Sequence, residues 1–227
     1  SLLSFSSVSQ AQGTNPQDLS AKQQGIVTIA AFTAKGDLEK LKTALNDGLD
    51  AGLTVNEIKE VLVQMYAYCG FPRSLNGINT FITVMEDREA KGIKDEVGRE
   101  PSPLPADKSS LELGIEIQTH LMGAPSRARY IAFTPAIDQF LKGHLFGDIF
   151  GRDNLDFQSR ELATISALAS IEGVSPQLQG HFNVGFNTGL TEAQMQSLIS
   201  VLKAKVGKKE AANATAVLDR VITSRSN

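Results

Sequence analysis

The 227-residue sequence is poorest in cysteine, with Cys69 standing alone. A single thiol excludes an intramolecular disulfide, a cysteine-rich zinc site and any single-chain CxxC redox cycle. Tryptophan is absent and aromatic residues make up only 6%. Three histidines, His120, His144 and His181, form neither an HExxH motif nor a close pair, so no metal site is expected. Beyond the first dozen residues no apolar run approaches the roughly 20 residues that span a bilayer, and no membrane span is expected. The net charge of −3 is spread over both halves and lacks the basic excess of a phosphate-binding surface. Lys203, Lys205, Lys208 and Lys209 do cluster, but four lysines at a helix end read as a solvated face, and no nucleic-acid partner is expected.

What is present describes a globular chain. Hydrophobic residues make up 41% and charged residues 21%, which excludes the disordered, collagen-like and coiled-coil classes. Ser1 to Gln12 is apolar or small and uncharged and ends in Ser9-Gln10-Ala11, like the end of a secretory signal peptide. That reading makes the protein exported, to a periplasm; if the stretch is a frayed tail, the protein is cytoplasmic. The dense charge of Asp87 to Glu100 runs into Pro101, Pro103 and Pro105, a linker signature.

The halves on either side of this segment repeat one another. Ile26 to Ala31, followed by Asn46 to Thr54, recurs as Leu162 to Ala167 followed by Asn183 to Thr191, offset by 136 and then 137 residues. The chain is therefore divided into a tail at 1–17, a first copy at 18–92, a linker at 93–110 and a second copy at 111–227. Gly52 and Gly189 stand where a helix ends in a left-handed residue. Thr54-Val-Asn-Glu57 and Thr191-Glu-Ala-Gln194 read as capping boxes, and Ser175-Pro176 as an N-cap with proline in the first turn. Ile58, Val61, Leu62, Met65 and Cys69 share one helical face, a core stripe, and strand-like alternation is nowhere sustained. The fold class is all-α.

Several residues could carry chemistry. Glu161 shares a helix face with Ile165 and Leu168; burial there would raise its pKa and make it an acid or base, whereas a place in the first turns would leave it near water and the helix dipole. His181 has Gly185 one turn on, leaving room beside the imidazole, and is otherwise a satisfied core histidine. His144 and Asp148, four apart, can form a dyad in which the carboxylate fixes the tautomer, or an ordinary surface pair. His120 has no comparable partner. Tyr68 flanks the core stripe and can offer its phenol at a pocket edge; Gly70 and Pro72 bend the chain so that Arg73 can face a carboxylate ligand. Cys69 falls inside the stripe, where a buried thiol is inert.

Around Tyr68-Cys69-Gly70-Phe71-Pro72, and around His144-Leu145-Phe146-Gly147-Asp148-Ile149-Phe150, the sequence resembles the carboxymuconolactone decarboxylase family, related to alkylhydroperoxidase D. The resemblance covers about residues 18 to 222. It implies a tandem repeat of the all-helical alkylhydroperoxidase D-like fold, decarboxylation without a cofactor, and a homo-oligomer, a trimer equivalent to a hexamer of single copies. His181 matches the histidine of both branches and Glu161 the glutamate of the hydroperoxidase branch, whose cysteine positions hold no thiol here; peroxidase chemistry is therefore disfavoured. The motifs are divided: the first copy has the tyrosine motif but Ala44 in place of the histidine, while the second has His181 but Lys205-Val206-Gly207 in place of the tyrosine motif. Gln118 replaces the family's opening arginine, and Phe146 and Phe150 replace two tryptophans. The expected function is decarboxylation, or related lyase or isomerase chemistry, on a small carboxylated lactone or keto acid. His181 would be acid/base, Glu161 or Asp148 the orienting carboxylate, His144 and Tyr68 donors, and Arg73 or Arg160 the carboxylate anchor, with Cys69 beside the substrate. The alternative is a non-catalytic helical binding or assembly module.

Overall fold

The computed structural model describes residues 18–227, so the expected signal segment and tail lie outside the described residues. Ten α-helices and two π-helical segments, with no strand among the described residues, make the fold all-α. Its centre is a pair of helices, α1 (Ala21–Lys35) and α7 (Phe157–Ala169), packed on each other. Gly25 to Ala34 and Ser159 to Ala169 are buried without a break, and a helix buried all round belongs at the middle of a core. Around this pair lie α2 (Leu38–Asp50), α3 (Val55–Ala90) and α8 (Ser175–Asn187), with α9 (Glu192–Val201), a π-helical segment (Leu202–Val206) and α10 (Lys208–Arg225) closing the second half.

The local signals act as their chemistry dictates. Thr54 and Thr191 each accept from the third backbone amide of their helix, and Glu57 and Gln194 fold back on the cap amide. Gly52 and Gly189 take φ of 100° and 99°. The second halves of these turns also match: Gly48 packs beside Ile29 and Leu53, and Gly185 beside Ile165 and Leu190, positions related by the sequence offset. Ser175 is a correction. Helix α8 begins one residue earlier than expected, with Val174 as N-cap, so Ser175 and Pro176 sit inside the first turn and no side chain caps it.

Gly70, at φ 83° and ψ 162°, breaks α3 into two helices just before Pro72. The charged segment after α3 is tied down. Val55 and Asn56 donate their backbone N–H groups to the Glu96 and Val97 carbonyls at 2.9 and 2.8 Å, satisfying donors that a helix start leaves free. Arg88 forks onto Asp95 with two 2.9 Å bonds and reaches Asp50 at 2.9 Å.

Helix α4 (Ser110–Met122) and the π-helical segment Phe140–Ile149 form a second layer, joined by the short helices α5 (Tyr130–Phe133) and α6 (Pro135–Gln139). Gly114 lies against the Lys142 carbonyl and Gly147 against the backbone of Ser110, leaving no room for a Cβ at either place. This close approach brings the Ser110 hydroxyl onto Asp148.

Candidate functional site

Before the Gly70 break, Glu60, Gln64 and Tyr68 recur every four residues and so share one face of α3. That face meets the start of α7. Arg160, fully buried, donates from Nη1 to Gln64 Oε1 at 2.8 Å and from Nη2 to Glu60 Oε1 at 3.0 Å and to the Arg152 carbonyl at 2.6 Å. Arg152 Nε adds a 2.8 Å bond to Glu60. Burial alone would raise the Glu60 pKa, but the two guanidinium groups outweigh it and hold the carboxyl below its ordinary value. Gln64 Nε2 in turn donates to the Thr164 hydroxyl at 3.2 Å.

One turn further along this face three of the expected residues meet. Glu161 is fully buried and its Oε2 bonds His181 Nδ1 at 2.7 Å, joining α7 to α8. The Tyr68 ring stands edge-on to the His181 ring, centroids 5.0 Å apart at 89°. Tyr68, from before the charged segment, and His181 and Glu161, from after it, therefore form one cluster within a single chain. With a carboxylate on Nδ1, the neutral imidazole keeps its proton there and presents Nε2 with a lone pair. The His181 side chain is 14% exposed, enough for solvent to reach it.

Two polar atoms beside this imidazole are buried and unpartnered, the Tyr68 hydroxyl and Glu161 Oε1. Burial pushes the Tyr68 phenol well above the usual tyrosine range, and the Glu161 charge adds to the shift. The neighbouring Thr164 hydroxyl and the Arg160 cation oppose it only in part. Unsatisfied buried polar atoms are uncommon and costly, and they concentrate where a ligand or water is to be held.

A second cluster is more open. His144 Nδ1 bonds Asp148 Oδ2 at 3.0 Å, as the i,i+4 spacing requires, and Asp148 Oδ1 accepts from Ser110 Oγ at 2.6 Å. Burial would raise the Asp148 pKa, but these two hydrogen bonds outweigh it and hold the carboxyl below its usual value. The other ring nitrogen, Nε2, bonds the Tyr66 hydroxyl, and Tyr66 stacks on Phe71 at 4.2 Å. Sequence reasoning gave no role to Tyr66 or Ser110, which lie 78 and 34 residues from His144. It also missed Glu60 and Gln64, although their four-residue spacing before Tyr68 was a usable signal.

The remaining residues are placed otherwise. Arg160 turns its Nη groups to internal partners, so it holds α3 and α7 together where anchoring of a ligand carboxylate was expected. Arg73 is exposed and its guanidinium lies over Gly36, between α1 and α2. Cys69 is half-buried against the core, and burial pushes its thiol up to about 11 despite the nearby Arg73. His120 is exposed and Gln118 buried. Among the described residues there is no group of three or more metal-ligating side chains, and no helix long and apolar enough to cross a membrane.

Residues 4–80 match the model of the carboxymuconolactone decarboxylase family. The chain is also similar to 4-carboxymuconolactone decarboxylase of Acinetobacter baylyi, 26% identical over 97 residues that cover 41% of this chain and 72% of that protein.

Proposed function

We propose, from the match of residues 4–80 to the carboxymuconolactone decarboxylase family, that Tyr68, His181 and Glu161 form a decarboxylation site for a small carboxylated lactone or keto acid. The observation that carries this reading is the meeting of Tyr68 from the first half with the Glu161-bound His181 of the second. In the reaction the carboxylate leaves as CO2 and its C–C bonding pair delocalises into the adjacent carbonyl. The Tyr68 phenol, held protonated by its raised pKa and free of other partners, donates to the oxygen where that charge develops. His181 takes a proton from solvent at Nε2, becoming an imidazolium that the buried Glu161 carboxylate stabilises, and gives it to the carbon, which returns the ring to its neutral Nδ1–H tautomer. His144, with Asp148 as its orienting carboxylate and Tyr66 on its other ring nitrogen, is a second candidate group for the reaction.

The proposal includes the two-copy organisation, supported by the matched caps and by the matched surroundings of Gly48 and Gly185. It also includes assembly as a trimer, to be checked by sedimentation of the full chain. A thiol peroxidase has little support, since the Cys69 pKa near 11 leaves almost no thiolate at neutral pH. The non-catalytic module is favoured by one observation: the cavity described below lies on the other half, away from His181.

CO2 release from 4-carboxymuconolactone and from small β-keto acids tests the reading. Turnover is expected with the wild type, reduced on the order of 10²-fold or more by His181→Ala. Absence of turnover across the panel, or turnover unchanged by this substitution, overturns it.

A further inference from the structure

The sequence offset pairs each residue of the Tyr68–His181–Glu161 cluster, and the adjoining Thr164, with a position in the opposite half. Glu161 pairs with Gly25, Thr164 with Thr28, His181 with Ala44 and Tyr68 with Lys205. All four partners line one cavity of about 480 Å³ between α1, α2 and the π-helical segment Leu202–Val206. Glycine and alanine therefore leave a hollow where the other half carries a carboxylate and an imidazole. The volume falls within the range of small-molecule sites, roughly 300–1,000 Å³.

The lining states what could occupy it. Phe32 and the small side chains make apolar walls, while Lys40, Lys205 and Asp47 stand at the rim. Among the described residues neither lysine has an ion-pair partner, although Lys22, Lys35 and Lys209 do. Two cations against one carboxylate around an apolar hollow favour a small anion with a hydrophobic body. The Thr28 hydroxyl donates to backbone carbonyls of its own helix, and the cavity holds no histidine.

We propose that this cavity is a second, non-catalytic binding site for a small carboxylate with an apolar ring, held by Lys205 and Lys40. The pairing of positions rests on the two-copy reading, whereas the cavity and its lysines do not. Calorimetric titration of the full chain with benzoate, with benzamide as the uncharged comparison, tests it in both the wild type and His181→Ala. Benzoate is expected to bind both proteins equally and benzamide markedly less well. Lys205→Gln, at an exposed position, should weaken benzoate roughly three- to tenfold, the scale of a charge-assisted contact at a partly wet rim. Ala44→Leu, checked for native circular dichroism, should weaken it more than tenfold by filling the hollow. The proposal is overturned if benzoate does not bind, if benzamide binds as well, if Lys205→Gln leaves affinity unchanged, or if binding is lost with His181→Ala.

Discussion

Replacing Glu60 by glutamine should be among the most destabilising conservative changes in this chain. The carboxylate is the anion for Arg160, which is fully buried, and its oxygens also accept from Arg152 and, at 3.3 Å, from Asn154. Glutamine can keep its oxygen where both guanidinium groups point, at Oε1, but it sets an NH2 against the Asn154 amide and removes the negative charge that compensates the buried Arg160 cation. Breaking a buried pair from one side costs about 3–5 kcal/mol, and the near-isosteric glutamine belongs at about 3 kcal/mol. With a urea m-value of about 2 kcal/mol/M, the unfolding midpoint falls by about 1.5 M. The pH dependence follows from the direction of the Glu60 shift. A carboxyl held below its ordinary pKa contributes stability above the unfolded pKa of about 4.3, and that contribution is lost as pH falls through the lower folded value. The wild-type advantage should be level from pH 7 to 5 and shrink below about pH 4. Circular dichroism of urea unfolding at several pH values measures it. A difference under about 1 kcal/mol at pH 7, or one that grows on acidification, refutes the assignment of Glu60 as the compensating charge. Replacing both partners, Glu60→Leu with Arg160→Met, should recover most of the loss.

Cys69, with its thiol near pKa 11, should react with iodoacetamide at pH 8 about a hundredfold more slowly in the folded chain than in urea; equal rates would show an accessible, unperturbed thiol. Gly36→Ala places a Cβ at φ 70° and against the Arg73 guanidinium, and should cost at least about 1–2 kcal/mol, read as a lower melting temperature. Adding Arg73→Ala should return only the part due to the clash, and full recovery would mean that the left-handed backbone costs nothing there.

The elements built by neighbours in sequence were legible. Thr54 and Glu57, or Thr191 and Gln194, need only three residues of chain to complete a cap, and Gly52 and Gly189 declare left-handed turns by having no Cβ. Ser175 misled because a Ser-Pro pair fits both the cap and the first turn, and the backbone chose the second. The separate members of the candidate site were also named, since Tyr68, Glu161 and His181 each stand in a recognisable local pattern. Their juxtaposition was not, because it depends on α3 packing across α7, 93 residues away, and on α8 docking beside it. Arg160 was misread for the same reason: a guanidinium looks like an anchor until its partner on another helix is known. The π-helical geometry around His144 has no periodic signature, yet the His144–Asp148 pair survived it because the four-residue contact is preserved.

The central claim is that the two halves contribute to one working site, and Tyr68→Phe probes it with least disturbance. The substitution keeps the ring against His181 and removes only a buried hydroxyl that has no partner, so folding should be unharmed. Measured as CO2 release from 4-carboxymuconolactone beside the wild type, turnover should fall by about 10²-fold, the scale of losing one preorganised donor to developing oxyanion charge. A folded Tyr68→Phe protein with wild-type turnover would contradict the account.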